Sequence, residues 1–179
     1  GASRVSFRDV VVPKANVLGQ VNAGAAVFET MMIPERLGTA AMTIGAARPA
    51  LELATRYAQR RKAFGRRIKS FQGVSFQLAN AATMLDASRA MCWNTALAVE
   101  AGESPTRIRR YVSQTKKFVT ESCQQVAHHA MQVMGGIGYT NVYPVERTVR
   151  DLRLASIWTG TSEVMSMIIA HEWSGEVEA

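Results

Sequence analysis

The chain has 179 residues, 47% hydrophobic and 20% charged, which suits one globular domain with a substantial core and excludes a disordered chain. No uninterrupted apolar run is long enough to cross a bilayer as a helix, so no membrane span is expected. The net charge of +7 asks for an anionic partner without choosing among nucleic acid, an acidic membrane and a phosphate-bearing cofactor.

The first residue is Gly1 rather than Met, so a piece excised from a longer protein is expected. Residues 4–12, RVSFRDVVV, are rich in β-formers and end at Pro13, which predicts a strand. One strand cannot bury itself. Residues 1–23 therefore read as the tail of an upstream β-domain with its linker, and residues 24–179 as a helical domain.

Leu37, Ala40, Ile44, Leu51 and Ala58 form a first helical seam. Pro34 suits its first turn or a kink, and Pro49 should bend it. Seven cations then fall within residues 56–69 (Arg56, Arg60, Arg61, Lys62, Arg66, Arg67 and Lys69) with no acid among them. A solvated basic connection between helices and a binding surface are both open readings of that run.

A second seam runs through Val74, Leu78, Ala81, Leu85, Cys92 and Val99 to Gly102. Ser104 and Pro105 read as the N-cap and first residue of the next helix. Its seam is Ile108, Val112, Thr115, Val119, Val126, Ala130 and Val133, stopped by Gly135-Gly136. Shorter helices are expected near 145–154 and 161–172. Long amphipathic segments with short connections predict an all-α fold, an antiparallel four-helix bundle with a short N-terminal β remnant.

The residues alone suggest little chemistry. His128 and His129 are adjacent and face different ways, His171 is far off in sequence, and no Glu-x-x-His spacing occurs, so no metal site is expected. Cys92 and Cys123 read as core-filling thiols in a reducing compartment. GGIG at 135–138 is too short for a dinucleotide fingerprint and follows no strand.

Six segments in order are more informative: PERLG at 34–38, RRKAFG at 60–65, FQ at 71–72, QVMGGIGY at 132–139, YPVERTVRDLR at 143–153 and IWTGTSEV at 157–164. Together they resemble the C-terminal domain of the acyl-CoA dehydrogenase family over residues 24–173. RVSFRDVVVPKANVLG is similar to the end of that family's middle β-domain.

The resemblance implies FAD as cofactor, an acyl-CoA substrate, electron-transfer flavoprotein as partner and a homodimer or homotetramer. Nucleic acid is an unlikely partner, though a non-catalytic or DNA-associated relative is the alternative reading. Bacterial cytoplasm or mitochondrial matrix is the expected compartment. The implied reaction passes the substrate α-proton to a base and the β-hydride to flavin N5.

By the same resemblance, Arg61 meets FAD phosphates from a neighbouring subunit, and Phe64 and Gln72 match flavin- or adenine-side contacts. Gln132 and Gly136 match the segment approaching the adenosine half, and Thr161 and Glu163 two further FAD contacts. Local explanations stand beside these: Phe64 as core, Gln72 as a cap, Gly136 as a helix stop.

The commonest position of the family's catalytic glutamate is occupied by Thr159, which has no carboxylate. Long-chain and isovaleryl-like members place that glutamate on the first long helix, and the matching residue is Glu35, with Arg36 beside it. Glu35 is thus the implied base, and Arg36 and Thr159 the implied substrate-side residues, Thr159 through its backbone N–H. An acid in a first helical turn, favouring the helix dipole, is the competing explanation for Glu35.

Overall fold

The computed structural model describes residues 3–178. It divides into two compact units, Gly1–Met32 and Ile33–Ala179.

In the first unit, residues 4–12 form no strand; they are exposed, with only a short 3₁₀ turn at Lys14–Asn16 after them. A strand needs a neighbouring edge to satisfy its N–H and C=O groups, and this unit offers none. Val5, Phe7 and Val11 stand in solvent. The unit closes with the first turns of α1, Gly24–Arg60.

That helix corrects one expectation: it starts well before Pro34, which is therefore an interior residue rather than part of a first turn, and the helix runs on past Pro49. Pro34 has no N–H for the Thr30 carbonyl one turn back, and the two units divide one residue before it, between Met32 and Ile33.

In the second unit, α1 is followed by a miniature hairpin, β1 (Lys62–Ala63) and β2 (Arg66–Arg67), paired antiparallel. Then come α2 (Gln72–Glu100), α3 (Pro105–Met134), a single turn α4 (Gly136–Tyr139), α5 (Val145–Ala155) and α6 (Ser162–Glu178). The fold is all-α, as the sequence predicts. α3 is its hub and packs on α2, α4, α5 and α6.

The boundaries follow local chemistry. Ser104 Oγ accepts from the Arg107 amide at 3.4 Å and Pro105 opens α3. Gly135, at φ 64°, closes it. The left-handed region suits a residue without Cβ.

Ala40, Ala47, Ala54 and Ala58 line the buried face of α1, small enough to let neighbouring helices approach closely. Leu85 of α2, Val119, Cys123 and Val126 of α3, and Leu152 of α5 fill the space beside Ala40, Ala47 and Leu51. Cys123 is a free, fully buried thiol, and burial pushes its pKa up to about 12, so it is an inert packing residue.

Candidate active site and cofactor surface

The candidate residues gather at two places on the second unit. The first is a turn at 156–162, between α5 and α6. Thr159 has φ 52° and Gly160 φ 99°. A β-branched residue in the left-handed region costs about 1–3 kcal/mol and persists only where surrounding contacts hold it.

Those contacts come from two cations. Arg36 of α1 donates from Nε to the Thr159 carbonyl at 3.1 Å. Lys116 of α3 donates from Nζ to the next carbonyl, Gly160, at 2.7 Å. Lys116 is completely shielded from solvent and Arg36 is nearly so. Burial first, and the neighbouring Arg36 charge second, push the Lys116 pKa down to about 8. Burial also lowers that of Arg36.

The turn leaves polar groups facing no partner. Among the described residues, the amides of Thr159, Gly160 and Thr161 have no backbone acceptor. The Thr159 and Ser162 hydroxyls are buried without a hydrogen bond. The unpaired amides are therefore the donors that the turn leaves for a ligand oxygen, while its two hydroxyls are shielded.

Glu35 lies next to Arg36 and is exposed. Since α1 begins at Gly24, Glu35 is not in a first helical turn, and the helix-dipole explanation for it falls away. None of the ion pairs among the described residues involves it.

Thr161 and Glu163 have local roles of their own. Thr161 Oγ1 accepts from the Val164 amide at 3.3 Å, capping α6. Glu163 sits in the first turn of α6. A hydrogen bond with the Thr161 side chain and one with its own amide, then the Lys117 and Arg153 charges, hold its carboxyl below the ordinary range.

The second place is the hairpin end. Phe64 (φ 51°) and Gly65 (φ 78°) make its two-residue turn. Positive φ at both positions is the geometry that matches strand twist, usually met by Asn-Gly rather than Phe-Gly. The Phe64 ring is 95% exposed, which overturns the core reading for it, and meets Phe71 edge-on at 6.2 Å. Arg66 stacks over the other ring, 4.1 Å from the Phe71 centroid.

Gln72 is the first residue of α2, and its side chain forms no cap. Arg61 and Gly136 line one pocket of about 450 Å³, together with Tyr57 and Ile68. Gln132 is exposed on the last turn of α3. The helix stop is Gly135, which leaves Gly136 to begin α4.

The structure thus brings Arg36, Thr159, Thr161 and Glu163 together around one turn, with Glu35 the exposed sequence neighbour of Arg36 on α1. Arg61, Phe64, Gln72, Gln132 and Gly136 belong to the other end. Lys116 and Met134 mark the two ends on α3, about 27 Å apart at 1.5 Å per residue.

Lys116 is the residue that sequence reasoning missed. It lies four residues after Val112 and three before Val119, on the buried face, and that position was its signal. Among the described residues no three His, Cys, Asp or Glu side chains cluster for a metal, and no helix is long and apolar enough to cross a membrane.

A charged clamp on a strained turn and a basic hairpin with an exposed ring are both carried by a long-helix, all-α scaffold. Residues 22–173 match the family model described as acyl-CoA dehydrogenase, C-terminal domain, and the chain belongs to that family.

The caffeyl-CoA reductase–Etf complex subunit CarC of Acetobacterium woodii is 39% identical over 94% of this chain and 44% of its own length. The crystal structure of acyl-CoA dehydrogenase from Geobacillus kaustophilus is similar at TM-score 0.87 and 35% identity, over 93% of this chain and 43% of that one. The FAD complex of PigA matches at TM-score 0.86 and 26% identity, over 94% and 43%. The chain spans less than half the length of these relatives.

Proposed function

We propose that the protein containing this chain is an FAD-dependent acyl-CoA dehydrogenase whose α-proton acceptor is Glu35. The observation that carries this reading is the Arg36–Thr159 contact, which ties the helix bearing Glu35 to the turn that lacks a carboxylate.

A carboxylate is too weak a base for an unactivated α-C–H, so the developing negative charge on the thioester oxygen must be stabilised. The Thr159 N–H, which has no backbone acceptor, is offered for that oxygen. Glu35, on the adjoining helix and outside the ion pairs among the described residues, takes the α-proton. FAD, when bound, supplies the acceptor for the β-hydride.

The hairpin end fits the cofactor by its chemistry. Arg61 presents a guanidinium fork suited to phosphate oxygens, beside the backbone of Gly136. Phe64 presents an uncovered aromatic face. Gln132 and Gln72 add amide groups at the ends of neighbouring helices.

The separation of the two ends supports a reading in which they serve different ligands. The 156–162 turn faces its own subunit's substrate, and the hairpin covers a FAD held by a second copy in a dimer or tetramer. That one relative is a subunit of an Etf complex supports electron-transfer flavoprotein as the electron partner.

The deciding experiment uses the full-length protein with a panel of acyl-CoA thioesters and a dye acceptor. Glu35→Gln should retain FAD and lose turnover by at least about 10³-fold, the scale of a lost general base. Undiminished turnover would remove Glu35 from the role.

A further inference from the structure

We propose that Lys116 is a positioning residue for the substrate-facing turn, acting through the Gly160 carbonyl to fix the direction of the Thr159 N–H. This rests on the thioester reading given under Proposed function.

The geometry pins the turn on both sides of Thr159. Upstream, the amides of Ile157 and Trp158 both bond to the Leu154 carbonyl, at 2.9 and 3.1 Å. Downstream, two consecutive carbonyls are taken by Arg36 at 3.1 Å and Lys116 at 2.7 Å. The peptides on either side of the Trp158–Thr159 peptide are therefore held, while the Thr159 N–H of that peptide is left without a backbone acceptor. Preorganised donors of this kind gain their effect by not having to reorient when charge develops.

A purely structural tie would not choose this side chain. Burying an ammonium is costly, and a long apolar side chain could fill the same space between α3 and the turn without that cost. The neighbouring cation makes the placement worse, since Arg36 and Lys116 repel. Glu121 and Glu163 offset the charge, though neither forms an ion pair with Lys116. What the ammonium supplies that a methionine cannot is a direction for the Gly160 carbonyl, held where the backbone has φ 99°. Lys116 has no exposed surface. Its effect passes through the backbone.

The test compares full-length, FAD-loaded wild type with Lys116→Met and Lys116→Gln. Steady-state turnover is measured alongside FAD content. The second readout is a 3-thiaacyl-CoA analogue, which can lose its α-proton but cannot be oxidised at the β-position. Its enolate is seen as a long-wavelength charge-transfer band with oxidised flavin.

In Lys116→Met, FAD content and KM should stay within about twofold while kcat falls about 10²–10³-fold, the loss expected for a misaligned oxyanion donor. The analogue should still bind, and its band should disappear or require higher pH. Lys116→Gln, with a shorter neutral donor, should fall between wild type and Lys116→Met.

Wild-type kcat and an undiminished band in an FAD-replete Lys116→Met would overturn the proposal. If that variant does not fold, the same two readouts on Lys116→Gln decide. A wild-type protein that neither oxidises nor deprotonates any thioester would instead overturn the functional reading, and this inference with it.

Discussion

Arg36 and Thr159 lie 123 positions apart in sequence, and Nε of the first donates to the carbonyl of the second at 3.1 Å. The contact joins the helix that carries Glu35 to the turn at Thr159. It also has a stability consequence. Arg36→Met removes the donor and leaves a shielded carbonyl unpaired, which costs about 1–3 kcal/mol. The urea midpoint of the 179-residue chain should fall with little change in slope. Because the Arg36 charge is one cause of the depressed Lys116 pKa, that pKa should rise in the same variant, which NMR of the Lys116 side chain would detect.

Gly160 separates two costs that a single substitution usually mixes. A Cβ there would lie 2.7 Å from Met165 Cε and 3.5 Å from an Arg36 terminal nitrogen, at a backbone φ of 99°. The methionine contact is with the end of a flexible side chain and can relax. The dihedral cannot, so Gly160→Ala should lose about 1–3 kcal/mol. Adding Met165→Ala to clear the space should recover none of it, since that change also empties a buried site. A double variant as stable as wild type in thermal unfolding would show that the clash, not the backbone, had dominated.

Much of this architecture was legible in the sequence, and the exceptions have physical causes. Ser104-Pro105 and Gly135 carry their own capping chemistry, so the ends of α3 were readable locally. The start of α1 was not, because Pro34 is suited to a first turn and nothing local shows that helix precedes it. The hairpin was hidden by two-residue strands and by Phe64 where Asn is the usual signal. Residues 4–12 have strand composition, but pairing needs a partner edge, and composition carries no signal for one. Glu35 and Thr159 were linked only by family resemblance; the carbonyl contacts of Arg36 and Lys116 are tertiary and have no pattern in sequence.

Phe64 offers a test in which stability and function should move oppositely. Its φ of 51° disfavours a bulky side chain, and the 95% exposed ring gains little from burial in this chain. Phe64→Asn supplies the residue that a turn with two positive φ values prefers. It should stabilise the chain by up to about 1 kcal/mol, the scale of left-handed strain relieved in one residue. In the full-length protein the same change should weaken FAD retention, measured as flavin lost on dialysis. Unchanged retention would separate the Phe64 ring from the cofactor.

Lys116 also predicts how stability should vary with pH. Its folded-state pKa, about 8, lies below the ordinary lysine value of 10.5. Below pH 8 the ammonium is protonated in both folded and unfolded chains, and the burial penalty is fully present. Between about pH 8 and 10.5 the unfolded chain holds a proton that the folded chain has released, so stability from this group rises with pH. Above that window both forms are neutral and the penalty is gone. Other groups titrate there too, so the measurement is a difference: unfolding free energy of wild type minus that of Lys116→Met at several pH values from 7 to 10. That difference should move in favour of wild type as pH rises. A flat profile would place the Lys116 pKa near its ordinary value and remove the cost on which its selection for direction depends.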